Sequence, residues 1–315
     1  MVSDVATRPR APRAAGRTRR RRSHGVWPRV WHFLSFGAPG VLIYVCFVLV
    51  PIAVSFGYSL TNYNPFNPPT RFVGLRNYQL MLQDDAFLTS LRITTILTAI
   101  VVIVPNVLGL GIAVLLDRRG WLYNALRGVF FTPMVLSSVV ISVIWTRMLQ
   151  DDGPVNQVLR ALGVQDPPGW LSDPDIALYS LATVLCWQML GFCVVIYLAG
   201  LSGVPKELME AAAIDGAGPV RRFWRVTWPL LAPALTVNTV VLLISAFKIF
   251  DHVQVMTQGG PGTGSTATIA FLAIQTAFVD NHQGYASAEA VAMLVVIAVL
   301  TAVSLAVLRR REIDQ

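Results

Sequence analysis

The sequence predicts an all-α integral membrane protein with six transmembrane helices, and three observations carry the prediction. Only 13% of the 315 residues are charged, six long runs contain no Asp, Glu, Lys or Arg, and the cations gather in alternate loops. A soluble chain of this size needs far more charge to cover its surface, and it alternates polar with apolar residues at a helical or strand period.

The charge-free runs are Phe33 to Thr70, Ile93 to Leu116, Gly128 to Thr146, Ile176 to Pro205, Val226 to Phe247 and Ala290 to Leu308. Each reaches the roughly 17 to 25 residues that a helix needs to cross the hydrocarbon core. Pro51, Pro105, Pro133 and Pro233 interrupt them, and bends rather than breaks are expected, since neighbouring helices can satisfy the backbone groups that proline frees. A seventh charge-free stretch, Thr257 to Val279, has four glycines in its first half. Its apolar part, Ile269 to Val279, is too short to span, so it reads as a loop leading into a short packed or interfacial helix.

Nineteen of the 25 Lys and Arg fall before span one, between spans two and three, between spans four and five, or after span six. The other six are Arg71, Arg76, Arg92, Arg147, Arg160 and Lys248. The positive-inside rule then places both termini and the Glu210 loop in the cytoplasm of a multi-pass membrane protein. Residues 1–32 are expected to be a disordered basic cytoplasmic tail, 33–311 the six-span domain, and 312–315 a short cytoplasmic end. The whole net charge of +8 resides in the first 30 residues, where nine Arg meet only Asp4. Such a tail orients the chain and anchors it to anionic lipid, which argues against nucleic acid as a partner.

Several chemistries find no residues here. Cys46, Cys186 and Cys193 lie within spans, as small hydrophobes commonly do. His24, His32, His252 and His282 show no ligand spacing, so no metal site is expected. No Gly-x4-Gly-Lys-Ser/Thr occurs, so the chain cradles no ATP phosphates of its own. The span interiors also lack the carboxylate, His or Lys of a proton relay. Energy must come from a gradient or from a partner that hydrolyses ATP.

The loop at about 203–229, between spans four and five, is the candidate connection to that partner. Pro205 can start a helix and Gly216 can end it, while Leu208, Ala211, Ala212 and Ile214 give it a small apolar face. A second short helix is expected from Pro219 through Trp224 toward Pro229. From these residues alone, a helix lying on the bilayer surface fits as well as one docked in a protein groove.

Glu210-Ala211-Ala212, three residues, Gly216, then Val226-Thr227-Trp228-Pro229 resembles the coupling-loop signature of binding-protein-dependent ABC permeases. That signature usually ends Ile-x-Leu-Pro, so Val226 and Trp228 depart mildly from it. Phe72-Val73-Gly74-Leu75-Arg76-Asn77-Tyr78, Thr257-Gln258-Gly259-Gly260-Pro261 and Gly284-Tyr285-Ala286-Ser287-Ala288 are similar to elements of the carbohydrate-uptake group, first-subunit type. Arg76 stands where an acidic residue is common. The resemblance implies a type I ABC importer permease fold and a transporter subunit that is not an enzyme. It implies a second homologous six-span permease, two ATPase subunits and an extracytoplasmic solute-binding protein as partners. No cofactor is expected on this chain; ATP and Mg would bind the ATPase. Glu210, Ala211, Ala212, Asp215, Gly216 and Pro229 would couple the two.

For the substrate pathway, sugar recognition calls for hydroxyl or amide groups and aromatic faces turned to the protein interior. Trp187, Gln188 and Tyr197 of span four and Asn238, Ser245, Lys248 and Asp251 of span five answer that description. Each equally serves helix-to-helix bonding or interfacial anchoring, and Lys248 and Asp251, three apart on one helix face, can pair with each other. The alternatives are a glycerol-phosphate or polyol importer, an ATP-independent sugar facilitator, and an interfacial membrane enzyme, for which only scattered loop acids such as Asp151 and Asp173 are available.

Overall fold

A computed structural model describes residues 37–313, without side-chain detail at position 263 and from position 310 onward. The basic tail and the extreme carboxyl end lie outside the described residues. The chain divides into two compact units, one through Ile52 and one from Ala53 onward. Among the described residues it is helical, with one isolated bridge between Thr61 and Phe72.

Helix α1 spans Gly37–Ser59. It contains a π turn at Val45–Leu49, closed by the Val50 N–H on the Val45 carbonyl immediately before Pro51. The wider turn accommodates the donor that proline lacks, so the helix continues through it. The chain then forms α2 (Arg76–Met81) and α3 (Asp85–Leu116), whose Pro105 lies inside an unbroken helix. Asp84 caps α3 by accepting the Ala86 N–H at 2.9 Å.

The third charge-free run is not one bent helix. It forms α4 (Trp121–Val135) and α5 (Ser138–Met148), set at 97° to each other. Leu136 and Ser137 are both extended, and the Leu136 N–H turns back to the Pro133 carbonyl. The bend expected at Pro133 is therefore a break. Its cost is contained because Gln188 donates its side-chain amide to the freed Leu136 carbonyl at 3.4 Å.

After a short α6 (Pro154–Ala161) comes α7 (Ala177–Ser202), the most enclosed of the long helices. It packs most extensively on α3 and α4. Small residues set these approaches: a Cβ at Gly109 would stand 2.6 Å from that of Cys193, and one at Gly191 would meet the Phe130 carbonyl. Next are α8 (Lys206–Ile214), α9 (Pro219–Leu230) and α10 (Ala232–Phe247), with a 61° bend at Leu231 between the last two. Like α1, α9 inserts a π turn (Phe223–Thr227) just before a proline, here Pro229. Pro233 falls in the first turn of α10, where a missing N–H costs no helix bond.

Helices α11 (Asp251–Met256), α12 (Ile269–Phe278) and α13 (Gln283–Ile313) complete the described chain. The expected packed helix is α12, which buries Ile269, Phe271 and Thr276 and lies against α13 and α3. Among the described residues four single helices are long and apolar enough to cross a membrane, or up to six if each of the two bent pairs is one span. The six-span fold class thus holds, with two of its spans broken.

The last span departs from its predicted limits in a consequential way. Its helix begins at Gln283, seven residues before the charge-free run, and it carries Glu289 with no solvent exposure. His252 is also buried. The expectation that the span interiors hold no carboxylate is corrected by Glu289, whereas His252 lies beyond span five, on α11. Counting charge-free runs ends each span at its first charge, whether that charge meets water or the core.

Candidate functional site

The 203–230 loop is built as expected from its local signals. Pro205 precedes α8, and the helix ends where Gly216 adopts φ +76°. The Ala217 N–H reaches back to the Ala212 carbonyl at 2.9 Å, a Schellman closure that only a residue free to enter the left-handed region completes without strain. Helix α8 contains no buried residue: Glu210, Ala211 and Asp215 are exposed, Ala212 is half-buried, and Ile214 is 86% exposed. Met209 provides its attachment, as its sulfur accepts the Thr227 hydroxyl of α9 at 3.6 Å. Pro229 lies on α9, half-buried, beside the edge-on aromatic series Phe223, Trp224 and Trp228. Met209 and Ala212 are half-buried, and the other seven residues of α8 are exposed.

The predicted pathway residues separate into three groups. Gln188 and Tyr197 are buried and bonded, and they tie helices together: Tyr197 donates to Asn106 Oδ1 of α3 at 2.7 Å, and Gln188 donates to the Leu136 carbonyl at 3.4 Å. Asn238 is wholly buried and neither polar atom of its side chain has a hydrogen-bond partner of good geometry, while Ser245 is half-buried. Lys248 and Asp251 are exposed, and they do not share a helix face: α10 ends at Phe247, and Phe250 (φ −128°) separates it from α11. The pairing expected from their spacing fails because the helix stops between them.

Trp187 differs from the rest. It is 40% exposed, packs edge-on to Trp145 at 5.5 Å, and lines two cavities of about 340 and 310 Å³. Tyr179 and Thr183 share the larger one, and Tyr179 also lines a smaller cavity with Trp145 and Trp170. Tyr179, Thr183 and Trp187 recur every fourth residue on α7, a stripe that the i, i+4 rule could have drawn from the sequence.

Two buried ionisable groups were missed. Gln188 donates to Leu136, so its Oε1 accepts from His252 Nε2 at 2.8 Å, which fixes the tautomer with the proton on Nε2. Burial lowers the His252 pKa to about 4, against the opposing pull of Asp251. Glu289 is enclosed with Thr276 of α12 beside it, and neither carboxyl oxygen has a hydrogen-bond partner of good geometry. Among the described residues no cluster of His, Cys, Asp or Glu is placed to hold a metal ion.

The outer-loop elements prove structural. The Asn77 amide donates to the Ser59 and Thr61 carbonyls, both at 2.8 Å, closing the orphan carbonyl end of α1. The Tyr78 hydroxyl bonds that of Ser59 at 2.7 Å, and Tyr285 donates to Asp84 at 2.8 Å. Arg76 is exposed. Gln258, Gly259 and Gly260 all have positive φ, forming a turn tied by the Thr257 and Thr266 hydroxyls at 2.7 Å.

Up to six apolar spans among the described residues, two of them broken, with one exposed helical pair in the loop before the fifth, define a polytopic membrane protein. The chain belongs to the family described as binding-protein-dependent transport system inner membrane component, whose profile matches residues 106–313. It is 33% identical to the probable starch degradation products transport system permease protein AmyD of Thermoanaerobacterium thermosulfurigenes, over 90% of this chain and 96% of that one. It is 34% identical to the diacetylchitobiose uptake system permease protein NgcF of Streptomyces coelicolor, over 95% and 87% respectively. Among solved structures, a bacterial alginate ABC transporter in complex with alginate pentasaccharide-bound periplasmic protein matches with a TM-score of 0.75 at 20% identity, covering 90% of this chain and 96% of that one.

Proposed function

We propose that this chain forms half of the substrate pathway of an ATP-driven importer for a sugar or oligosaccharide, and that α8 couples it to a separate ATPase. The observation that carries the reading is the exposure of α8. None of the nine residues of this mostly apolar helix is fully buried in its own chain, which fits a groove in a partner. The partners are a second homologous six-span permease, two ATPase subunits that bind ATP and Mg, and an extracytoplasmic solute-binding protein. Both termini and the α8 loop face the cytoplasm, in keeping with the distribution of Lys and Arg.

The mechanism is alternating access. ATP binding closes the ATPase pair and draws the two coupling helices together, and the permease turns from inward-facing to outward-facing. Free energy enters through contacts that differ between the two states. Glu210, Ala211, Ala212, Asp215 and Gly216 form the coupling surface, and α9, with Pro229, links it rigidly to α10. Saccharide as cargo is supported by the similar permeases of starch-degradation-product and diacetylchitobiose transport systems, and by Trp187 and Tyr179, which line a common cavity.

The test is Glu210→Lys in proteoliposomes carrying the full assembly. ATP-driven uptake is expected to fall at least tenfold with membrane insertion unchanged. Normal uptake in this variant, or purification of the wild-type chain with no ATPase attached, would favour a facilitator instead.

A further inference from the structure

We infer that a second site, beside the coupling helix and apart from the sugar pathway, binds a phosphate-bearing anion. The inference rests on the proposed orientation, which puts this end of the molecule at the cytoplasmic headgroup layer. A cavity of about 580 Å³ opens between the end of α3, the first turns of α4, the end of α7 and the start of α8. Its volume lies in the range of about 300–1,000 Å³ typical of small-molecule sites. Arg118, Arg119, Arg127 and Lys206 line it against the single carboxylate of Asp117.

The positive-inside rule asks only that cations lie in this loop; it does not require them to converge on one concavity. Here every cation between spans two and three faces the same space. Arg127 is held in place, donating to the Leu116 carbonyl at 2.7 Å and the Arg118 carbonyl at 3.2 Å. Among the described residues, no carboxylate is hydrogen-bonded to Arg118, Arg119, Arg127 or Lys206, so their charge is available to a ligand. Planar guanidinium groups match phosphate oxygens in geometry as well as charge. The start of α4 adds to the field, because Gly120 leaves its first N–H groups without a side-chain cap.

The ligand is the phosphate of an anionic lipid headgroup or of a soluble phosphate ester. Since Lys206 and Met209 of α8 belong to the lining, occupancy bears directly on the coupling helix.

The experiment uses the full chain with its copurifying subunits, in nanodiscs for melting and in sealed proteoliposomes of the same lipids for uptake. Melting midpoint and ATP-driven uptake are followed as phosphatidylglycerol replaces phosphatidylcholine, and separately as glycerol phosphate is titrated into phosphatidylcholine membranes. A stabilising, saturable response is expected, with the half-saturating amount raised at least fivefold in Arg118→Gln/Arg119→Gln and less than twofold in the charge-matched control Arg309→Gln/Arg310→Gln. Response to the lipid alone identifies a headgroup site, and response to glycerol phosphate identifies a soluble ligand. Equal responses in the double variant and the control would overturn the proposal in favour of diffuse surface charge, as would the absence of any response. Loss of ATP dependence with the melting shift intact would strike the coupling reading and leave the anion site standing.

Discussion

The two ends of the molecule solve the same problem in opposite ways. At the rim formed by α2 and the starts of α3 and α13, chain ends and turns are closed by the protein's own side chains: Asn77 on the carbonyls ending α1, Asp84 on the start of α3, and Tyr285 on Asp84. At the inner loop, α8 closes its own terminus through Gly216 and then leaves its outward surface bare. Buried polar closures make a rigid frame, whereas an exposed apolar helix is an unfinished contact. The rim is therefore scaffold, and the loop is where, under the proposed function, a partner's free energy would enter.

The sharpest way to break this comparison is at Gly216. Gly216→Pro forbids φ +76° and removes the N–H that bonds the Ala213 carbonyl. ATP-driven uptake is expected to fall more than tenfold, while melting in detergent changes little, because α8 supports nothing else in the chain. A parallel loss of folded protein would show that the loop is part of the frame after all.

The outer half responds to pH instead. Its folded-state pKa of about 4 lies below the ordinary 6.5, so His252 stays neutral in the fold. Between these values an unfolded chain takes up a proton that the folded chain does not. Stability therefore falls as pH drops from 6.5 toward 4, by about 3 kcal/mol if the whole shift is expressed. His252→Gln is expected to flatten the pH dependence of the melting midpoint in that window. An unchanged slope would place the titration elsewhere.

Asn77→Ala gives the next effect. It strands two carbonyls that the structure closes internally, at a cost of about 1–3 kcal/mol. The melting midpoint should drop while uptake per folded molecule persists, the reverse of the Gly216 pattern.

Local rules made the inner loop legible. Pro205, the Ala-rich turn and Gly216 specify a helix and its two ends within a dozen residues, and the structure places each where those signals put it. Span four was equally legible because unbroken apolarity needs no partner to be recognised, whereas the helices of spans two and six begin at Asp85 and Gln283, before their charge-free runs. What escaped was tertiary. The break at Leu136 and Ser137 depends on Gln188, some 50 residues away, being present to accommodate a freed carbonyl. The end of α10 at Phe247 separated Lys248 from Asp251, and no spacing argument detects where a helix stops without a Gly or Pro to mark it. The Tyr179, Thr183 and Trp187 stripe was readable but concealed, since an exposed stripe and a packed one look alike in an all-apolar helix.

Glu289 is the exception within the frame, and it sharpens the comparison most finely. Every other polar closure described at the rim has a partner of good geometry, yet this carboxyl is fully enclosed beside Thr276 without one. Glu289→Gln keeps its shape and removes its capacity for charge. If the group serves packing alone, the midpoint should move by less than about 1 kcal/mol in stability, and uptake should stay within twofold. Glu289→Ala, which empties the space, should cost about 2–3 kcal/mol by leaving a cavity. A folded Glu289→Gln protein that loses uptake tenfold would reverse the assignment, because an unchanged shape with a changed charge leaves only the ionisable carboxyl to account for the loss. In that event part of the outer frame would belong, with α8, to the machinery that moves the cargo.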